Sequence, residues 1–153
     1  MNTQPERKLI TPGEQAPDIT IEDINGDVFN MSSNKGKVMV FNFWAIGCRG
    51  CVEEIPELNK LAEHFKKEKD VKFYAFTSDT KSSCIRFLKR KQFLFSLVPY
   101  SKFVFLKYGI YGIPATLIID KDGKVLKVYY GGEIKPKMVD GVIKEIESAL
   151  HDN

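Results

Sequence analysis

Cys48 and Cys51 lie three positions apart in the stretch "FWAIGCRGCVEEIP", residues 43–56, and are two of the three cysteines in the chain. Two thiols at this spacing support three kinds of chemistry: half of a zinc site, a structural disulfide, or a couple that opens and closes. A structural zinc needs four ligands, usually from two such pairs. The remaining soft donors are Cys84, His64 and His151, which form no second pair, so no metal is expected. A static disulfide across so short a loop restrains the unfolded chain little. A reversible couple suits the local sequence. The cysteines follow an apolar run, "KVMVFNFW" (37–44), and precede residues at helical spacing, Leu58, Leu61, Ala62 and Phe65. They therefore fall between a buried strand and a helix, outside the carboxyl end of the strand, where ligand sites of open α/β sheets lie. At a helix N-terminus, unpaired N–H groups and the positive end of the dipole favour thiolate, the nucleophilic form. Residues three apart on a helix approach within ~5–6 Å, so a small adjustment closes a disulfide. Arg49, between the two thiols, would favour the Cys48 thiolate further and raise the reduction potential, unless it points into water and does little.

The elements that must hold this pair can be read on either side of it. Residues 1–16 are polar, carry Pro5, Pro12 and Gly13, and are expected to be a flexible tail before a domain over 17–150. Ile19 and Ile21 alternate with polar neighbours and Asn25-Gly26 follows, which predicts a hairpin. Further strands are expected over 71–78, 94–98, 115–120 and 125–130, the last two joined by a turn at Asp122-Gly123. Helices are expected over 82–93, 101–109 and 136–150, with Met138, Val142, Ile146 and Ala149 on the inner face of the last. This order is that of an α/β sandwich around a mixed sheet.

Composition narrows the function classes. At 153 residues the chain is long enough for one domain with a real core, and three cysteines are too few for a disulfide-framed secreted fold. The net charge is +3, but the lysines are scattered and do not interleave with aromatics, so no nucleic-acid partner is expected. No run of 18 apolar residues exists to span a membrane. The first residues hold no apolar signal-peptide core, which suits a cytoplasmic protein or one that begins after a removed signal or anchor.

Taken in order, several segments resemble the thioredoxin-fold proteins, and more narrowly the TlpA/ResA-type thiol–disulfide oxidoreductases related to AhpC/TSA. They are "GEQAPDITIEDINGD", "KGKVMVFNFWA", the active-site stretch itself, a helix-strand insert over 79–98, "YGIPATLIIDKDGKV" and Gly131-Gly132. The resemblance covers about Gly13 to Leu150. It implies a three-layer α/β/α sandwich with an N-terminal β-hairpin and a helix-strand insert. It also implies Cys48 as attacking nucleophile, Cys51 as resolving thiol, and a redox-active disulfide between them. Pro56 matches the kinked active-site helix of the family, and Pro114 the cis proline whose loop, with Ile113, faces the cysteines and aligns a substrate. Glu54, one turn after Cys51, matches the family's acid; partly buried, it would take the proton of Cys51. Two departures stand out. Asn42 replaces the buried aspartate of thioredoxins proper, and Gly47 replaces an aromatic residue before the first cysteine, which leaves Cys48 less shielded; with Gly47, Arg49, Ile113 and Pro114, Trp44 would contact substrate if it lies at the rim, or pack if it lies in the core. Gly50, where thioredoxins carry proline, loosens the turn.

The function implied is dithiol–disulfide oxidoreduction on protein substrates, in the reducing direction, with no cofactor and an upstream electron donor. A monomer outside the cytoplasm, in the periplasm or tethered to a membrane, is expected, because relatives of this type are held there and reduce disulfides, often of apocytochrome c. Two alternatives bracket it. A peroxiredoxin would need proline and threonine where Phe41 and Ala45 stand. A binding or chaperone module would make the CxxC incidental. Cys84, sharing a face with Phe87 and Leu88, is expected to pack in the core, and His64 to lie on the surface.

Overall fold

The computed structural model describes residues 9–152. Its frame is a five-stranded sheet in the order β5-β4-β3-β6-β7, with a separate hairpin of β1 (Thr20–Glu22) and β2 (Val28–Asn30). The apolar run after Lys37 becomes β3 (Val38–Phe43), buried along its whole length. It pairs in parallel with β4 (Val71–Phe76) and antiparallel with β6 (Ala115–Ile119), so Val40 faces Phe73 on one side and Ile118 on the other. β5 (Ser96–Val98) continues the parallel half, and β7 (Val125–Tyr130) closes the antiparallel half.

Alternation along β3 sends side chains into two cores, as the two-residue strand period requires. Val38 and Val40 join the core under α1 (Arg49–His64), α2 (Lys81–Arg90) and α4 (Val139–His151). Met39, Phe41 and Phe43 join the opposite core, covered by α3 (Lys102–Lys107) and the β1–β2 hairpin through Ile19, Ile21 and Phe29. The result is the expected three-layer α/β/α sandwich with its hairpin and its α2–β5 insert. The second core is aromatic: Phe41 meets Phe76 edge-on at 4.9 Å between centroids and Tyr108 at 5.9 Å. The tyrosine hydroxyl donates to the Pro17 carbonyl at 2.7 Å, which ties α3 to the chain entering the hairpin.

Two expectations need correction. Of the tail expected over residues 1–16, residues 1–8 lie outside the described residues, and residues 10–16 are not a tail. Ile10 and Ala16 are buried, and this segment runs beside the β6–β7 turn. Gly13 and Ala16 donate to the carbonyls of Val125 and Gly123, both at 2.8 Å, and Val125 donates back to Glu14 at 2.9 Å. The turn itself is set by Asp120, whose Oδ1 accepts from the N–H groups of Asp122 and Lys124. Its Gly123 sits at φ +82°, a conformation glycine adopts without Cβ strain. The second correction is Met138. It is 39% exposed, because Pro136–Met138 form a 3₁₀ turn before α4 and carry it off the face that buries Val142, Ile146 and Ala149.

Truncating Phe41 to alanine removes a fully buried ring from between three aromatic neighbours. The expected loss of stability is about 3–5 kcal/mol, read as a lower urea midpoint with an unchanged slope.

Candidate active site

The topology gathers the site. β3, β4 and β5 run parallel and end at one edge of the sheet; β6, running the other way, begins there. The segments after Phe43, Phe76 and Val98 and the segment before Ala115 therefore meet at that edge. The first carries the cysteines.

Cys48 is the N-cap residue of α1, with extended backbone (φ −92°, ψ 106°), and its sulfur accepts the N–H of Cys51 at 3.2 Å. A sulfur thus takes the place of the usual capping oxygen and satisfies one of the orphan donors of the first turn. No acidic residue stands in that turn to oppose a negative sulfur. Cys48 and Cys51 are joined as a disulfide, with Cα atoms 5.3 Å apart. Their exposures differ: Cys48 is half-buried and Cys51 is 2% exposed, so a partner reaches only the first sulfur.

The loop opposite contains the Ile113-Pro114 peptide in the cis form. Pro114 is buried and Ile113 is 37% exposed beside it. A Cβ placed on Gly50 would stand 3.9 Å from the Pro114 ring, so the first turn of α1 packs directly against this loop. Gly47 has nothing within 4 Å of its Cβ position, and the approach to Cys48 on that side is open.

Glu54 is the buried acid of α1, 6% exposed, and its carboxyl is pushed up to about 7, first by burial and then by the charges of Glu57 and Glu133. A backbone hydrogen bond from Ile134 works against this rise. That N–H arrives on a strap after β7 in which Gly131 and Gly132 take φ +58° and +78°. Gly131 in turn donates to the Pro114 carbonyl at 3.0 Å, so one strap touches both the acid and the cis-proline loop. Asn42 offers no second acid: its amide donates to Thr116 Oγ1 at 3.0 Å and to the Ala115 carbonyl at 3.4 Å inside the sheet. The other buried carboxylate among the described residues, Asp23, holds the β1–β2 turn.

Two residues read from the sequence behave differently from expectation, Trp44 and Arg49. Trp44 is not part of a docking surface: it is 1% exposed, its ring packed on Phe87 and Phe93 at 5.1 and 5.2 Å, because alternation at the end of β3 turns it under α2. Arg49 lies in water, its side chain 93% exposed and its Nε 2.8 Å from Glu53, so screening leaves little of its charge for Cys48. Cys84 is fully buried, and its thiol is pushed up to about 11 by burial and then by the charge of Asp79. It stays protonated at neutral pH and packs, as expected. His64 is exposed and paired with Glu147 across α1 and α4 at 3.0 Å. Among the described residues no three His, Cys, Asp or Glu side chains converge as a metal site.

Sequence reasoning missed two groups at this edge. Ile134 acts through its backbone N–H, which residue type does not reveal. Asp79 accepts the Ile46 N–H at 2.9 Å; its only signal was an acid just past the end of a predicted strand.

The Glu54 environment has a measurable signature. The folded protein keeps this proton to about pH 7, whereas an ordinary glutamate releases it near 4.5. The folded state therefore binds more protons between these values, and stability falls as pH rises through the window, by on the order of 2–3 kcal/mol, then levels. Glu54→Gln should abolish that decline, and the oxidised variant should be more stable than the parent at pH 8 but not at pH 4. Urea unfolding of both oxidised proteins across this range checks it; parallel curves would contradict a raised carboxyl.

The profile of the AhpC/TSA family matches residues 12–128, which include both cysteines and Pro114. The chain is 29% identical over 143 residues to the "Thiol-disulfide oxidoreductase ResA" of Bacillus thuringiensis, covering 92% of this chain and 82% of that protein. It is 32% identical over 129 residues to the ResA of Halalkalibacterium halodurans, covering 83% and 73%. A crystal structure from Chlorobium tepidum, described as a candidate thiol:disulfide interchange protein DsbE, superposes with a TM-score of 0.79 at 27% identity, over 94% of this chain and 99% of that one. Fold, cysteine placement and sequence agree: the chain belongs to the AhpC/TSA family and is a thioredoxin-fold protein of the TlpA/ResA type.

Proposed function

We propose that this protein is a dithiol–disulfide oxidoreductase that reduces disulfides in protein substrates. The observation that carries the reading is the Cys48–Cys51 disulfide at the head of α1, with the accessible sulfur capping the helix through the Cys51 N–H. The names of its ResA relatives support the same chemistry.

The reduced enzyme acts in two steps. The Cys48 thiolate, stabilised by the helix N-terminus, attacks one sulfur of the partner's disulfide; a Cys48–partner bond forms, the partner's S–S bond breaks, and the other partner sulfur leaves as thiolate. Cys51 is buried and must lose its proton to complete the cycle. Glu54, on the same face one turn later and holding its proton to about pH 7, is the acceptor. The Cys51 thiolate then attacks Cys48, restoring the disulfide and releasing the partner's second sulfur, which picks up a proton. Two electrons have moved from the cysteine pair to the partner, and an upstream dithiol donor must return them. Exposed Ile113 beside Pro114, and the open approach at Gly47, suit docking of an extended partner segment next to Cys48. Arg49 lies at the rim of this approach. Among the described residues no helix is long and apolar enough to cross a membrane. A place outside the cytoplasm and action as a monomer belong to this same proposal.

Equilibration in a series of dithiothreitol or glutathione buffers, with alkylation and mass counting, should show Cys48 and Cys51 titrating together as one two-electron couple. Cys84 should be alkylated only after denaturation. Cys51→Ser should trap partners as mixed disulfides on Cys48, and Cys48→Ser should abolish reduction of protein disulfides. A pair that never closes in any buffer, or full activity in Cys48→Ser, would refute the proposal and favour a binding module.

A further inference from the structure

We propose that Asp79 is the positioning residue that holds Cys48 at its attacking angle, an inference that rests on the redox reading of the pair. The loop between β3 and Cys48 is Trp44-Ala45-Ile46-Gly47; beyond the buried Trp44 it has no polar side chain of its own, and an unhindered glycine stands next to the nucleophile. Its backbone is held at three points. Trp44 N–H donates to Phe76 at 3.0 Å, Cys48 N–H to Ala45 at 3.1 Å, and Ile46 N–H to Asp79 Oδ2 at 2.9 Å. The last is the side-chain bond among them, two residues from the reactive sulfur.

Asp79 is itself fixed from below. The hydroxyl of Thr77, fully buried at the end of β4, donates to the same Oδ2 at 2.6 Å, and Thr77 Oγ1 accepts the Asp79 N–H at 3.2 Å. The Asp79 carbonyl accepts the N–H of Tyr100 at 3.0 Å, and the Thr77 carbonyl that of buried Ser101 at 2.9 Å. Tyr100 is the non-glycine residue at positive φ (+56°) among the described residues, so the loop after β5 holds an unfavoured conformation at this junction. The half-buried Asp79 carboxylate thus joins the loop after β3 to the end of β4, and its own backbone carbonyl ties in the loop after β5.

The sign of its charge separates positioning from electrostatics. A negative group near the sulfur opposes thiolate, so removing Asp79 would ease Cys48 ionisation if charge were its contribution. If it positions the loop, removal loosens the contact of the Cys48 sulfur with the Cys51 N–H, and ionisation becomes harder. Asparagine keeps an acceptor oxygen for Ile46 and Thr77 but not the charge.

The test compares the parent, Asp79→Ala, Asp79→Asn and Thr77→Val in reduced form. It measures single-turnover reduction of glutathione disulfide, the pH profile of Cys48 alkylation by iodoacetamide, and thermal unfolding. Asp79→Ala should react about 10-fold more slowly, as a displaced nucleophile does, with its alkylation profile moved to higher pH. Asp79→Asn should recover to within about 3-fold of the parent, and Thr77→Val should fall between the two. A lower melting temperature alone would leave the alkylation profile of the folded protein where it was. The proposal fails if Asp79→Ala reacts like the parent, if its profile moves to lower pH, or if Asp79→Asn is as slow as Asp79→Ala. If Asp79→Ala does not fold, a parent-like Thr77→Val refutes it. A parent with no reversible Cys48–Cys51 couple would sink the redox reading itself, which the redox-buffer titration reads separately.

Discussion

Strand β3 is buried on both faces and flanked on both edges, and the rest of the molecule is arranged around that constraint. A strand so placed cannot slip by one residue without moving every side chain into the wrong core. Its register with β4 and β6 therefore fixes where Phe43 ends, and hence where Cys48 emerges. The helix that follows must cover Val38 and Val40, so α1 lies back across the sheet with its N-terminus at the edge. The reactive pair sits where it does because the core leaves the chain no other exit.

What makes that edge reactive is mostly backbone. The Cys48 sulfur is served by the Cys51 N–H, the Glu54 carboxyl by the Ile134 N–H, and the Ile46 N–H is received by Asp79. Arg49, the obvious cation, is spent on Glu53 in solvent. Fixed dipoles near a partly dry sulfur act at short range with little screening, whereas an exposed guanidinium pays side-chain entropy and is diluted by water and salt. The two cysteines are unequally buried, and Glu54, one turn after the buried one, is itself buried with its carboxyl pushed up to about 7.

The strap over Gly131 to Ile134 links these parts. It binds the cis-proline loop through Gly131 and the acid through Ile134. Two successive residues in the left-handed region make this turn, which explains a glycine pair there in mechanical terms. On the other side of the cysteines, Thr77, Asp79 and Tyr100 form the matching tie between the ends of β4 and β5. The site is thus clamped from both flanks, while the surface beside Cys48 stays open at Gly47 and exposed at Ile113.

The amino-acid sequence already carries the order of elements, the hairpins at Asn25-Gly26 and Asp122-Gly123, the position of the cysteine pair between strand and helix, and the burial of Cys84. Those features rest on local periodicity, turn chemistry and spacing, which residue types carry directly. It also pointed to Glu54 and Pro114, through resemblance more than through pattern. The folded molecule settled the rest. It buried Trp44 under α2, sent Arg49 into water, docked residues 10–16 on the β6–β7 turn and brought Asp79 to Ile46. Each of these depends on which face a side chain takes at the end of an element, or on a backbone group meeting a residue far away in sequence. Neither is encoded in any one stretch, because both are settled when the sheet closes and the loops at its edge compete for the same few hydrogen bonds.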